Sequence, residues 1–390
     1  MENHLESYTI KGYNLNSLVY DGIQRLYEKG QKQQTRNGEV LFLNEIDFIL
    51  INPKARHLNL KGRTNNFFGT LGEMFWVMAG ENSIKKLEMF VPRAKLYSDD
   101  GRVWNAAYGY RLWNYNQIEH LFQCFKNDGI ETRRATASIF VPLIDTWDEY
   151  CDRYNTTKPL DIPCNQWLNF FVTKENSNYR LNLKVAQRSG DIIYGTGNIN
   201  IPEFTFIQEF ILCGLKEIFA EREESLDLGV YKHCVTNLHV YKDLEKQFLN
   251  IVNSKQQKDF REVESDLESH FPSIYDIHGD FKPERVKIFF RVLLDFFMAV
   301  KNGDYDELKD FDSIAYEVDK IFNEFMCETE NNSIFAYSIL ILAFILSTFR
   351  KMEVCVDFYK DLRIYKTAKV DDLVYAVKNS KFRKFDLKGV

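Results

Sequence analysis

No two cysteines in this chain are spaced Cys-x-x-Cys. The seven lie scattered at 124, 151, 164, 213, 234, 327 and 355, which argues against zinc-ribbon and dithiol redox motifs and predicts no metal. An odd count in a chain this long points to reduced thiols in a cytoplasm. Basic residues are also short: the formal net charge is -6. A nucleic-acid binder more often carries a basic excess, so no nucleic-acid partner is expected. A small anion held by a few local arginines stays open. No hydrophobic run reaches membrane length. The most apolar stretch, Ile334 to Phe349, is interrupted by Tyr337, Ser338 and Ser347 and falls short of the ~20 residues a span needs, so it reads as a buried helix. The N-terminal MENHLESYTIKGY lacks the basic region and apolar run of a signal peptide, which again predicts a cytoplasmic protein without a membrane partner.

What is present fits a folded globular protein. The 390 residues suit one large or two medium domains. Hydrophobic residues at 45% and charged residues at 27% predict a packed core rather than disorder. Helical spacing appears after Ser17 up to Gly30, over Phe67 to Met78, Gln117 to Phe125 and Phe204 to Ala220. Strand patterns appear in VLFLNEIDFILI, Thr136 to Pro142, Trp167 to Thr173, Tyr179 to Gln187 and Asn237 to Tyr241. QKQQTRNGE and 143–163 read as loops. Composition turns polar near residue 253. Beyond it only helices are expected, with Pro283 opening one and Gly303 closing it. The chain therefore reads as an α+β domain over 1–253 and an all-α domain over 260–390.

The chemistry concentrates in DIPCNQWLNFFVTKENSNYRLNLKVAQRSGDIIYGTGNINIPEFTFIQEF. Taken singly, Cys164 is most often a structural cysteine, and an Arg-Ser pair at a strand end is ordinary surface. Together they put a thiol beside an anion-binding pair, which can lower the thiol pKa and raise its thiolate fraction.

Pro-Cys, paired strands, Gln-Arg-Ser-x-Asp, Gly and Asn-Ile before a helix resemble the core of the thymidylate synthase family. Further motifs follow in the family's order. These are Arg36 between Gly30 and Gly38, Gly72-Glu73, Tyr108-Gly109, Arg133-Arg134 after Asn127-Asp128, and His239-Val-Tyr241. The resemblance covers about residues 15–250. It implies a mixed sheet flanked by helices and transfer of a one-carbon unit to C5 of a pyrimidine nucleoside monophosphate. The cosubstrate implied is 5,10-methylenetetrahydrofolate, and no metal is needed. Cys164 would attack C6, because C5 of uracil becomes nucleophilic only once addition at C6 makes an enolate. Arg36, Arg188 and Ser189 would bind the 5'-phosphate, joined by Arg133 and Arg134 across a homodimer interface. Asn200 would hydrogen-bond the base, with Asn198 its rival because the turn is one residue longer than expected. The family uses an asparagine for uracil and an acid for cytosine, so uracil is favoured. Glu73 would manage protons through water, and Tyr108 would help deprotonate C5. His239 and Tyr241 would contact the sugar. Asp191 would hold the pterin, and Gly195 would allow close approach.

Four departures mark the chain. Asn165 stands where the family has histidine. Ala94-Lys95-Leu96-Tyr97 replaces a tryptophan-rich stretch that lines the folate pocket. The loop 143–163 is long, and a helical segment replaces the family's short closing tail. An altered wall and lid could admit water to the exocyclic methylene intermediate and give a hydroxymethyl product. On what is usual for the family, methylation of dUMP is nonetheless the first expectation, hydroxymethylation of (d)UMP or (d)CMP the second, and a non-catalytic nucleotide binder the third.

Overall fold

The computed structural model describes residues 6–157, 159–256 and 260–390. The first five residues of the N-terminal stretch, Lys158 of the expected loop and 257–259 of the expected connector lie outside the described residues.

One mixed sheet forms the frame. Its path runs β1 (Tyr8–Gly12), β3 (Gly38–Leu50), β8 (Leu226–Tyr241), β6 (Asn178–Gln187), β5 (Asn165–Glu175), β4 (Thr136–Ser138), with β2 (Gln31–Thr35) on β3 and β7 (Gly190–Asp191) on β8. β8 runs antiparallel to β3 and parallel to β6. Helix Ile201–Ile218, almost wholly buried, lies against β6 and β8. Helix Phe67–Met78 packs against it in turn and has eleven buried residues, which explains its nearly continuous apolar sequence.

Two loops expected from sequence are ordered elements. QKQQT is β2, an exposed strand held by antiparallel pairing to β3; its side chains have no apolar face for a pattern to reveal. Within 143–163 stand helices Pro142–Asp145 and Trp147–Tyr154. They are fixed by a buried ion pair in which Arg111 reaches Asp145 at 2.5 and 2.8 Å. The short strand expected at Asn237 is the end of the sixteen-residue β8.

Beyond residue 260 lie helices Glu284–Asn302, Phe311–Glu324, Ser333–Thr348 and Asp371–Lys378, plus a small parallel ribbon of β9 (Cys355–Asp357) and β10 (Asp386–Lys388) that the sequence did not reveal. This region shares one hydrophobic core with the sheet region. Phe68 stacks on Phe344 at 4.7 Å and Phe75 meets Phe290 edge-on at 5.0 Å. Arg291 donates to the Ala79 carbonyl at 2.8 Å, and the His57 and Tyr337 side chains are 2.7 Å apart. Among the described residues no helix is long and apolar enough to cross a membrane.

Gly109 sets the approach of helix Tyr108–Asn114 to helix Phe67–Met78. A Cβ there would sit 2.0 Å from the Val77 carbonyl oxygen, a backbone atom that cannot step aside. Helix propensity alone favours alanine over glycine by ~1 kcal/mol. Overpacking against backbone acts the other way and is larger, about 3 kcal/mol. Gly109→Ala is therefore expected to lower the melting temperature; a variant melting at or above wild type would show that the contact is not limiting.

Candidate active site

Cys164 sits half-buried just before β5, where the chain turns into the sheet. Its neighbour Asn165 stands opposite Gln187 in the β5–β6 register. Arg188 follows Gln187 directly and binds the cysteine loop. Its backbone N–H donates to the Cys164 carbonyl at 2.9 Å, and its guanidinium donates to the carbonyls of Ile162 at 2.7 Å and Pro163 at 3.2 Å. Arg36, in the β2–β3 turn, donates to the carbonyls of Pro159 at 2.5 Å and Leu160 at 3.1 Å. Two arginines distant in sequence thus grip one short segment around the thiol. Burial pushes the Cys164 thiol up, Arg188 and Arg36 pull it down, and Asp161 opposes them.

Tyr241 also reaches this neighbourhood: its hydroxyl is influenced by Asn37 in the β2–β3 turn and by Cys164. His239 is buried, packs edge-on against Tyr241 at 4.9 Å, and is held neutral by burial, with Arg188 adding to the effect. β7 carries Asp191, whose carboxylate accepts from the Ile193 N–H at 2.8 Å and is pushed up to about 6 by burial. Gly195 closes this turn by donating to the Asp191 carbonyl at 3.0 Å. Ser189 is half-buried beside Arg188. Arg133 and Arg134 are exposed, and Arg134 pairs loosely with Asp128 at 3.5 Å; no contact among the described residues brings either to Cys164.

On the other side of Cys164 the site becomes apolar and buried. Glu73, on helix Phe67–Met78, is pushed up to about 8 by burial. Tyr108 stacks on Phe204 at 5.8 Å and is held strongly protonated by burial and by nearby Cys164, Asp161 and Glu203, while Asn165 acts against them. Asn165 is fully buried near the Tyr108 hydroxyl, and among the described residues neither its amide nitrogen nor its oxygen has a partner at hydrogen-bond distance. Buried amides are rarely left so, and this one is ready to meet a polar ligand edge.

The extra residue in the glycine turn is absorbed as a π-turn, Thr196–Asn200, at the start of helix Ile201–Ile218. Asn200 Oδ1 accepts from Gln187 Nε2 at 2.9 Å. The Asn198 carbonyl accepts from Thr70 at 3.2 Å, while its side chain makes no hydrogen bond among the described residues.

A model of the family described as thymidylate synthase matches residues 19–287, more than half of the chain. The chain belongs to the thymidylate synthase family. Three curated relatives carry the name deoxyuridylate hydroxymethyltransferase. The one from Delftia phage PhiW-14 is 37% identical over 249 residues, 63% of this chain and 66% of that protein. The one from Bacillus phage SP01 is 30% identical over 60% of this chain and 59% of its own length. The one from Pseudomonas phage M6 is 26% identical over 60% and 62%. The chain thus spans less than two thirds of the length of these relatives.

Placed in the thymidylate synthase family, several side chains take on interest that sequence reading missed. Trp104 donates its indole N–H to Asp161 and stacks at 5.5 Å on Tyr97. These two rings stand near the segment where the family's tryptophans are absent. Asp161 is pushed up to about 6 by burial. Glu203 is 2% exposed, with one carboxylate oxygen unpartnered among the described residues. The only sequence signal for Glu203 was an acid in the first turn of a very apolar helix.

Proposed function

We propose that this chain transfers a one-carbon unit from 5,10-methylenetetrahydrofolate to C5 of a pyrimidine nucleoside monophosphate through a Cys164–C6 adduct, and that dUMP becomes 5-hydroxymethyl-dUMP. The observation that carries the reading is the thiol of Cys164 lying under the influence of two arginines beside an unsatisfied buried amide. The hydroxymethyl product, rather than the methyl product, is favoured by the names of the three relatives. The replacement of the family's tryptophan-rich stretch by Ala94-Lys95-Leu96-Tyr97 supports the same choice.

In this reading Arg188, Arg36 and Ser189 hold the phosphate, as arginine forks match its oxygens. Arg133 and Arg134, exposed in one protomer, reach a second copy's phosphate across a homodimer interface. Asn198 and Asn200 border the base. Asn198 has the unspent amide, and Asn200 is oriented by Gln187. His239 and Tyr241 take the sugar, and Asp191 with Gly195 takes the pterin. Glu73 and Tyr108 move protons at O4 and C5. The folate supplies the carbon at the formaldehyde level of oxidation, and these residues bind, orient and protonate around it. Residues 1–253 form the catalytic unit and 260–390 an appended helical unit. The seven free thiols suit a cytoplasm.

The test is mass spectrometry of products from dUMP, UMP, dCMP and CMP with methylenetetrahydrofolate. The expected result is a hydroxymethyl product from dUMP with no dihydrofolate absorbance. A methyl product with stoichiometric dihydrofolate overturns the choice of product. No product from any nucleotide, and no adduct with 5-fluoro-dUMP, leaves the non-catalytic reading standing.

A further inference from the structure

Gln187, opposite Asn165 in the β5–β6 register, is the middle of a buried line of side chains that the reading above leaves unused. Tyr231 and His233 on β8 are both buried, with the Tyr231 hydroxyl 2.5 Å from His233 Nδ1. His233 Nε2 lies 3.0 Å from Gln187 Oε1. Thr196, buried in the π-turn, is 2.8 Å from the same oxygen. Gln187 Nε2 is 2.9 Å from Asn200 Oδ1.

Such a line can run in two directions, and counting hydrogens chooses between them. In the first, Tyr231 donates to His233 Nδ1, and His233 Nε2 and Thr196 both donate to Gln187 Oε1. Gln187 Nε2 then donates to Asn200 Oδ1. Both hydroxyl hydrogens and the imidazole N–H have acceptors. In the second, the imidazole hydrogen sits on Nδ1 and points at the Tyr231 oxygen. The Gln187 amide is turned over, and Asn200 turns over with it. His233 Nε2 and Thr196 Oγ now accept from Gln187. The Tyr231 and Thr196 hydroxyl hydrogens are left without an acceptor among the described residues. Buried hydroxyls are rarely left so, and each orphaned one is costly. The imidazole is neutral in either direction, because burial pushes it down to about 3. The first direction is the stable one, and two hydroxyls hold it.

The line ends on an asparagine that borders the base in the proposed complex. An amide presents a donor and an acceptor side by side. Uracil offers O4 as an acceptor next to N3–H as a donor. Cytosine offers the reverse, an exocyclic N–H next to a bare N3. One orientation of an asparagine amide therefore fits uracil, and the overturned one fits cytosine. The Asn198 side chain makes no hydrogen bond among the described residues, so its amide can turn to suit either base. Asn200 is held: its Oδ1 receives from Gln187 and keeps a second lone pair, with the amide nitrogen beside it.

We propose that Tyr231 and Thr196 are positioning residues that determine specificity: through His233 and Gln187 they fix the Asn200 amide in the orientation that accepts uracil and rejects cytosine. The inference rests on the reading above, in which dUMP is the substrate and Asn200 borders its base. With the phosphate gripped by arginines and C6 held at Cys164, the base cannot slide to find another partner. For cytosine to bind, Asn200 must turn over. Gln187 must turn with it, or two N–H groups face each other. The penalty against cytosine is thus set by hydroxyls that do not touch the nucleotide.

Calorimetric binding of dUMP and dCMP to the intact chain tests this without requiring turnover. The wild type is expected to bind dUMP the more tightly. Tyr231→Phe and Thr196→Val each remove one hydroxyl hydrogen whose orphaning opposes the turn, and each keeps the size of the side chain. Each is expected to lower the ratio of the dCMP to the dUMP dissociation constant about fivefold, and the double variant up to about 25-fold. A packing role would weaken both nucleotides alike and leave the ratio unmoved. An unmoved ratio in both variants, with dUMP still bound, overturns this inference and leaves the proposed chemistry standing. A wild type that prefers dCMP, or binds neither nucleotide, overturns the proposed substrate and this inference together. Should the variants not fold, neutron diffraction from wild-type crystals decides. Deuterium on His233 Nε2 is expected, and deuterium on Nδ1 alone overturns the assignment.

Discussion

Cys164→Ser is expected to abolish turnover, by about 10³-fold or more, while leaving nucleotide binding in place. A serine hydroxyl has the shape of the thiol but is a far weaker acid, and among the described residues the charged groups acting on position 164 are Arg188, Arg36 and Asp161. Asp161 is itself held up near 6 by burial and is engaged by the Trp104 indole. In the free protein burial pushes the thiol up, with Arg188 and Arg36 pulling against it. Alkylation of Cys164 by iodoacetamide is accordingly expected to be slow at neutral pH and to accelerate as pH rises. Mass spectrometry of the intact chain with 5-fluoro-dUMP and folate gives the direct reading: an adduct on wild type and none on the serine variant. A serine variant with appreciable turnover would falsify the covalent reading.

Arg188→Ala is the second large effect. The guanidinium fixes the cysteine loop by donating to the carbonyls of Ile162 and Pro163, and in the proposed complex it also meets the phosphate. Losing a charged donor of this kind costs about 1.5–3 kcal/mol for each bond left unmade. A fall of about 10²- to 10³-fold in kcat/KM is expected, with KM for the nucleotide rising. Removing the cation also leaves burial and Asp161 unopposed, so the thiol pKa rises further and iodoacetamide alkylation at neutral pH slows. Arg188→Lys keeps the charge without the planar fork and is expected to recover only part of the loss. If Arg188→Ala keeps wild-type kcat/KM and unchanged alkylation, the arginine neither holds the loop nor serves the anion.

How far the sequence reached depends on which physical signal each element carries. Helix Phe67–Met78 was legible to the residue, because a continuous apolar run between Asn66 and Gly80 has few other readings. β2 was not, since Gln31–Thr35 exposes every side chain except a half-buried Thr35 and owes its strand to backbone pairing alone. β8 was seen only at its end, because its apolar alternation changes phase between Val230 and Tyr231 and the polar His233 takes a buried place. The residues gathered around the thiol could be listed from motifs, but motifs cannot give burial. The amide of Asn165 is left without a hydrogen-bond partner among the described residues only once distant segments pack together. The extra residue before Asn200 was visible as a length, and its accommodation as a π-turn was not.

The helix bearing Glu73 has its apolar flank filled by phenylalanines from the chain's last third, with Phe68 against Phe344 and Phe75 against Phe290. The carboxyl proposed to handle protons therefore sits on a helix propped from behind by these rings. Trimming the chain back to its family-like portion would strip that foundation and leave aromatic rings facing water. A cavity opened at Phe344 or Phe290 would therefore loosen the helix that carries Glu73.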